Sequence, residues 1–126
     1  MTDTKKILIA DDEPNIVISL EFLMKREGFA VSIAVDGEEA IDKIRSESPD
    51  LVLLDVMMPK KSGFEVCQEV KGDPSLAATR ILMLTAKGRD TEMAKGLALG
   101  ADAYMTKPFS TKDLVEQVRQ LLGLTA

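Results

Sequence analysis

Short apolar runs rich in branched side chains recur along the chain at 6–10 (KILIA), 30–35 (AVSIAV), 50–55 (DLVLLD), 81–86 (ILMLTA) and 103–106 (AYMT). Each is followed by a longer segment whose apolar residues return with helical period. The first pattern suits strands and the second amphipathic helices, so their alternation predicts βα units around a parallel sheet. The first, third and fourth runs lack polar alternation, as strands covered on both faces do, whereas Ser32 inside the second run places that strand nearer an edge.

Pro14, after Asp11, Asp12 and Glu13, suits the first turn of a helix with Val17, Leu20, Leu23 and Met24 as its core stripe and Gly28 as its end. Ala40, Ile41 and Ile44 mark a second helix that stops before Pro49. Residues 63–70 make a third, with Phe64, Cys67 and Val70 on one face, and a fourth runs from Arg89 to Leu99 and ends at Gly100. Leu114, Val115, Val118, Leu121 and Leu122 stripe a fifth that closes at Gly123. No repeat or linker interrupts the series. One domain over residues 1–126 is expected, an α/β fold with a doubly wound five-stranded sheet and helices on both faces.

Sites in such sheets form outside the carboxyl ends of the strands. Here those ends are polar: the first run closes in ADDE (10–13), the third in Asp55, the fourth in Thr85 and the fifth in Lys107. Asp55 stands out because Leu51, Val52, Leu53 and Leu54 precede it and Val56, Met57, Met58 and Pro59 follow, so no sequence neighbour can neutralise it. In a 2-1-3-4-5 order the first and third strands are neighbours, about 4.8 Å apart, which brings Asp11 and Asp12 to Asp55. Three carboxylates at one rim repel and raise one another's pKa unless a cation relieves them. A hard divalent ion is the natural relief: Mg2+, or Mn2+ in its place, takes carboxylate oxygens and welcomes phosphate. With Lys107 as a point charge and Thr85 as a hydroxyl donor, the set suggests phosphoryl transfer with Asp55 as the nucleophile.

Composition narrows the alternatives. There is no histidine, which removes Ser-His-Asp and Cys-His catalysis and histidine-ligated zinc. The single cysteine, Cys67, removes an internal disulfide or multi-cysteine metal site and suits a reducing, cytoplasmic setting. A formal charge of −5 disfavours nonspecific binding to nucleic acid or anionic membrane. The opening apolar stretch, Ile7 to Ala10, is too short for a signal peptide or a membrane span.

ADDE (10–13), LLDVMMPKKSG (53–63), LTAK (84–87) and GADAYMTKPF (100–109) together resemble the receiver domains of two-component response regulators, over essentially the whole chain. The resemblance implies the flavodoxin-like strand order 2-1-3-4-5 of the chemotaxis regulators. It implies that Asp55 accepts a phosphoryl group from a phosphohistidine on a sensor histidine kinase or phosphotransfer protein. By the same match, Mg2+ is held by Asp11, Asp12, Asp55 and the backbone carbonyl of Met57. Thr85 and Lys107 contact the phosphoryl group, and Tyr104 follows Thr85 inward as the switch. The Lys107–Pro108 bond is cis, Pro59 and Gly63 shape the loop beside the site, and Met57 and Lys87 tune dephosphorylation. Such a chain is a signalling domain rather than an enzyme: it phosphorylates itself from a donor and loses the group by autodephosphorylation. Its readout face is the fourth helix, fifth strand and fifth helix, which a self-dimer could also use. Dimeric DNA-binding regulators carry a second acid beside Asp102 and an Arg in the last helix, where Ala103 and Gln117 stand here. That weighs against the DNA-binding class.

Competing functions fit less well. A flavin carrier of this topology needs a phosphate-cradling loop after the first strand and stacking rings, but that loop is acidic and the chain has no Trp and one Tyr. An aspartyl phosphatase needs a second acid two residues after the nucleophile, where Met57 stands. A phosphorylation-independent interaction module is the remaining alternative. Other features read as structural: Gly96 and Gly100 as helix termination, Cys67 as core, Met57 and Met58 as packing or lining the site, and the 71–79 segment as a surface loop.

Overall fold

The computed structural model describes residues 4–86, 90–107 and 109–124. Strands β1 (Lys6–Ala10), β2 (Ala30–Ala34), β3 (Leu51–Asp55), β4 (Arg80–Ala86) and β5 (Ala103–Lys107) alternate with helices α1 (Pro14–Arg26), α2 (Gly37–Glu47), α3 (Gly63–Lys71), α4 (Asp90–Ala98) and α5 (Thr111–Leu121). The strands form one sheet in the order β2-β1-β3-β4-β5, every neighbouring pair parallel. The second run therefore lies at an edge, as Ser32 indicated.

The uninterrupted apolar runs are explained by two packed layers. Alternate residues Leu8, Val52, Leu54, Ile81 and Met83 pack with Ala40, Ile41 and Ile44 of α2 and Val66, Cys67 and Val70 of α3. Their neighbours Ile7, Ile9, Leu51, Leu53, Leu82 and Leu84 pack with Val17, Leu20, Leu23 and Met24 of α1 and Leu114 and Val118 of α5. Each fully buried Leu or Ile contributes about 1.5–3 kcal/mol relative to exposure, so both faces need covering. No helix among the described residues is long and apolar enough to cross a membrane.

Local chemistry sets the helix starts. Pro14 occupies the first turn of α1. Asp36 caps α2 by accepting from Glu39 N–H at 2.8 Å, while the Glu39 carboxylate accepts from Val35 N–H at 2.7 Å. This reciprocal pair pulls Val35 out of β2, one residue earlier than the apolar run suggested, and leaves its side chain exposed. Ser62 and Ser110 cap α3 and α5 in the same manner. In α3 the apolar stripe is Val66, Cys67 and Val70, and Phe64 is only half-buried.

The 71–79 segment is more than a surface loop. Pro74–Leu76 form a 3-10 turn started by Asp73, and Leu76 and Thr79 are buried. Thr79 Oγ1 donates to the Pro49 carbonyl at 3.1 Å, and Lys71 Nζ donates to the Thr79 carbonyl at 2.9 Å. Lys71 also pairs with Asp102 at 2.9 Å. Asp102 meets Arg80 at 3.5 Å and accepts from Ile81 N–H at 2.8 Å, which ties α3, β4 and the α4–β5 connection at the amino-terminal end of the sheet.

Candidate functional site

Register brings the polar strand ends together. Ala10 lies opposite Leu54, so Asp11, one residue past β1, stands beside Asp55 at the end of β3. Thr85 pairs with Thr106 and Ala86 with Lys107, which puts both predicted phosphoryl contacts on the same carboxyl-terminal rim. Asp11 is fully buried, Asp55 and Thr85 nearly so, and Asp12 is exposed. One carboxylate oxygen from each of Asp11, Asp12 and Asp55 lies within 4.8 Å of the others.

Lys107 is already engaged at this rim. Its Nζ donates to Asp11 Oδ2 at 3.0 Å and to Asp55 Oδ1 at 3.4 Å, and reaches Glu13 Oε1 at 3.6 Å. Glu13 thus joins the charges at the rim; its place inside ADDE was the signal available for it. Asp11 Oδ1 also accepts from Glu13 N–H at 2.9 Å, so Asp11 braces the turn into α1 instead of capping the helix.

The charges do not balance. Burial pushes the Asp55 carboxyl up from 3.8 to about 6, the Asp11 charge adds to this, and Lys107 only partly offsets it. Partial burial pulls Lys107 downward, but its bond to Asp11 and the charges of Asp55, Asp11 and Glu13 outweigh that and hold it above the ordinary lysine value. A site with all-oxygen donors, a buried carboxylate that resists ionisation and, among the described residues, one ammonium for four acids is suited to a hard divalent cation. Asp11, Asp12 and Asp55 are the side chains placed to hold it.

Met57 is 67% exposed, and Met58 packs against the α2–α3 layer. Tyr104 also packs against that layer, with its hydroxyl buried, so the ring lies inward. Gly96 makes room for it: a Cβ there would lie 2.8 Å from Met83 Sδ and 3.2 Å from Tyr104 Cε2. Gly96 is therefore a packing residue, whereas Gly100, at φ 106, ends the helix as expected. Lys95 Nζ stands 4.6 Å from the centre of the Phe64 ring and holds α4 against α3. Cys67 is buried and its thiol is pushed up to about 11, chiefly by burial. Lys87 and Pro108, with the expectations attached to them, lie outside the described residues.

The model of the response regulator receiver domain matches residues 7–119. Among solved structures, a response regulator from Chloroflexus aurantiacus is 34% identical, with a TM-score of 0.92, over 96% of this chain and 99% of its own. A CheY-like receiver domain protein from Methanospirillum hungatei is 30% identical at a TM-score of 0.89, covering 96% and 95%. The receiver domain of a signal transduction histidine kinase from Syntrophus aciditrophicus is also 30% identical at 0.89, covering 95% and 91%.

Proposed function

The chain belongs to the response regulator receiver domain family, a family of signalling domains, and on that premise we propose that Asp55 is its phosphoacceptor, charged from a phosphohistidine on a sensor kinase or phosphotransfer protein. The observation that carries this is the rim itself: three carboxylates within 4.8 Å of one another, with the Lys107 ammonium lying against two of them.

In the transfer, an Asp55 carboxylate oxygen forms the new P–O bond as the donor's P–N bond breaks. The imidazole nitrogen leaves with the bonding pair, neutral because its second nitrogen is protonated. With a pKa of about 6, Asp55 is ionised and nucleophilic at neutral pH. Mg2+, when bound, supplies positive charge to the carboxylates and to the phosphoryl oxygens. Asp11, Asp12, Asp55 and the Met57 carbonyl would hold it. Lys107 moves its hydrogen bonding from Asp11 and Asp55 toward the phosphoryl oxygens, and Thr85 donates its hydroxyl to the same group. The phosphate adds roughly −1.5 to −2 of charge at the rim, which draws Thr85 and stabilises the inward Tyr104, resetting the α4-β5-α5 face for a downstream partner or a second copy of the chain. The chain works in the cytoplasm, beside its donor, without direct contact with nucleic acid or membrane. Autodephosphorylation is slowed by the Met57 side chain, which cannot orient a water, and is further tuned by Lys87.

Intact-mass analysis after incubation with acetyl phosphate and Mg2+ tests this. One phosphoryl adduct is expected, lost with Asp55→Asn and with EDTA, and decaying faster in Met57→Asn than in the parent. An adduct that survives Asp55→Asn would move the acceptor elsewhere. No adduct from acetyl phosphate or from a phosphohistidine donor would favour the phosphorylation-independent module.

A further inference from the structure

The loop between β3 and α3 carries the Met57 carbonyl proposed as a metal ligand. Its inner end is fixed to the sheet: Val56 N–H donates to the Leu84 carbonyl at 3.1 Å, and Gly63 N–H donates to the Val56 carbonyl at 2.8 Å. Gly63 makes this closure possible, since a Cβ there would meet the Asp55 carbonyl oxygen and lie 2.9 Å from Val56 Cα.

The outer end rests on the start of α2. Gly37 N–H donates to the Pro59 carbonyl at 3.2 Å, and Lys61 N–H closes on the same oxygen at 2.8 Å. Lys60, between them, stands at φ 69, a left-handed conformation that non-glycine residues seldom adopt. Its ammonium faces Asp36, the α2 cap, at 3.7 Å. A Cβ on Gly37 would fall on the Lys61 carbonyl oxygen, 2.5 Å from Lys61 Cβ and 2.7 Å from its carbonyl carbon. These are backbone and first side-chain atoms, which cannot swing aside as the tip of a flexible side chain could.

We propose that Gly37 is a positioning residue for the metal: its bare backbone is the seat that fixes the β3–α3 loop and, through it, the place of the Met57 carbonyl relative to Asp11, Asp12 and Asp55. The inference rests on the Mg2+ reading above and adds to it a residue outside the ligand set. The transmission is short. Met57 lies two residues from Pro59, whose φ is locked by its ring, and the other end of the loop is held at Val56, so a shift at the seat has little slack to absorb it. Mg2+ tolerates little error, because it demands nearly ideal octahedral geometry at about 2.0–2.1 Å. Residues that orient metal ligands characteristically change affinity by about 10–100-fold when altered.

The test is an Mg2+ titration of the full chain followed by amide NMR, with thermal unfolding in EDTA and at fixed Mg2+ as a second readout. Gly37→Ala is expected to weaken Mg2+ binding by about tenfold or more and to lose most of the Mg2+-dependent rise in Tm. A merely structural role would lower Tm equally with and without Mg2+. Pro59→Gly, which loosens the same seat without adding an atom, should weaken Mg2+ in the same direction by less, and it decides the matter if Gly37→Ala does not fold. Parental Mg2+ affinity in a folded Gly37→Ala, or in Pro59→Gly, would overturn the inference while leaving the Mg2+ reading intact. A parent chain that binds no Mg2+ would overturn both.

Discussion

At the amino-terminal end of the sheet Asp102 meets Lys71 at 2.9 Å, Arg80 at 3.5 Å and Ile81 N–H at 2.8 Å, so one acid has two cations and a backbone donor. At the carboxyl-terminal end Asp11, Asp55 and Glu13 all lean on Lys107, with Asp12 close by. The same residue types serve opposite purposes. The first arrangement is closed and ties three elements together. Among the described residues the second carries a surplus of negative charge, visible in Asp55, whose pKa burial and Asp11 raise to about 6. An electrostatic deficit of this kind costs stability and is tolerated where a ligand is meant to relieve it.

The largest expected effect is at the closed end. Asp102→Ala leaves the Ile81 N–H without its acceptor and the part-buried Lys71 ammonium without its counter-charge, the Thr79 carbonyl remaining to it, and should lower the unfolding free energy by about 3 kcal/mol in denaturant titration. A loss below about 1 kcal/mol would reduce the cluster to an ordinary surface pair and erase the contrast.

The opposite sign is expected at the rim. In EDTA at pH 8, Asp55→Asn should stabilise the chain by about 2 kcal/mol. Asp55 has a folded pKa of about 6 against an ordinary 3.8, so the native state holds this proton more tightly than the unfolded chain does. That advantage is complete below the unfolded value and is lost as pH rises through about 6, after which the ionised, buried carboxylate weighs against folding. The gap between variant and parent should therefore be widest at pH 8 and close near pH 4. Mg2+ should narrow it by stabilising the parent, by about 1.4 kcal/mol at ten times Kd. A gap that does not change with pH would show that the rim carries no charge deficit.

The smallest effect concerns the helix that links the two ends. Gly96→Ala puts a methyl group against Met83 and Tyr104 and should cost roughly 1 kcal/mol. Its clearer signature is optical. Tyr104 is the only tyrosine and there is no tryptophan, so quenching of intrinsic emission by acrylamide reports on this ring alone. Quenching should rise in the variant; an unchanged value would show that the ring has other room.

Most of the architecture was legible because the sheet is covered on both faces, which makes its strands uninterrupted apolar runs that differ sharply from the helices between them. The rim was legible for a related reason. In a parallel sheet every strand end that carries a polar residue arrives at the same edge, so Asp11, Asp55, Thr85 and Lys107 could be grouped before any contact was known. What stayed hidden depends on contacts between segments distant in sequence. Leu76 and Thr79 look like loop residues until Pro49 and the core receive them. Val35 reads as strand until Glu39 takes its N–H. Gly37 looks like an ordinary helix-start glycine, and only the approach of Lys61 shows why no larger residue fits. That Lys107 rests on Asp11 and Asp55 likewise required the distances.

Because successive residues of β3 feed opposite layers, Leu51 and Leu53 toward α1 and α5 and Val52 and Leu54 toward α2 and α3, the side to which Asp55 belongs is a matter of counting. Asp11 follows Ile7 and Ile9 in the same parity, and Lys107 follows Ala103 and Met105, whereas Tyr104 belongs to the other side. Exchanging one branched side chain for another along this strand keeps that parity, but adding or dropping a single residue does not. Such an indel would swap the layers and carry the carboxylate across the sheet, away from Asp11 and Lys107. In β3 the reading frame of the fold is as constrained as the identity of Asp55.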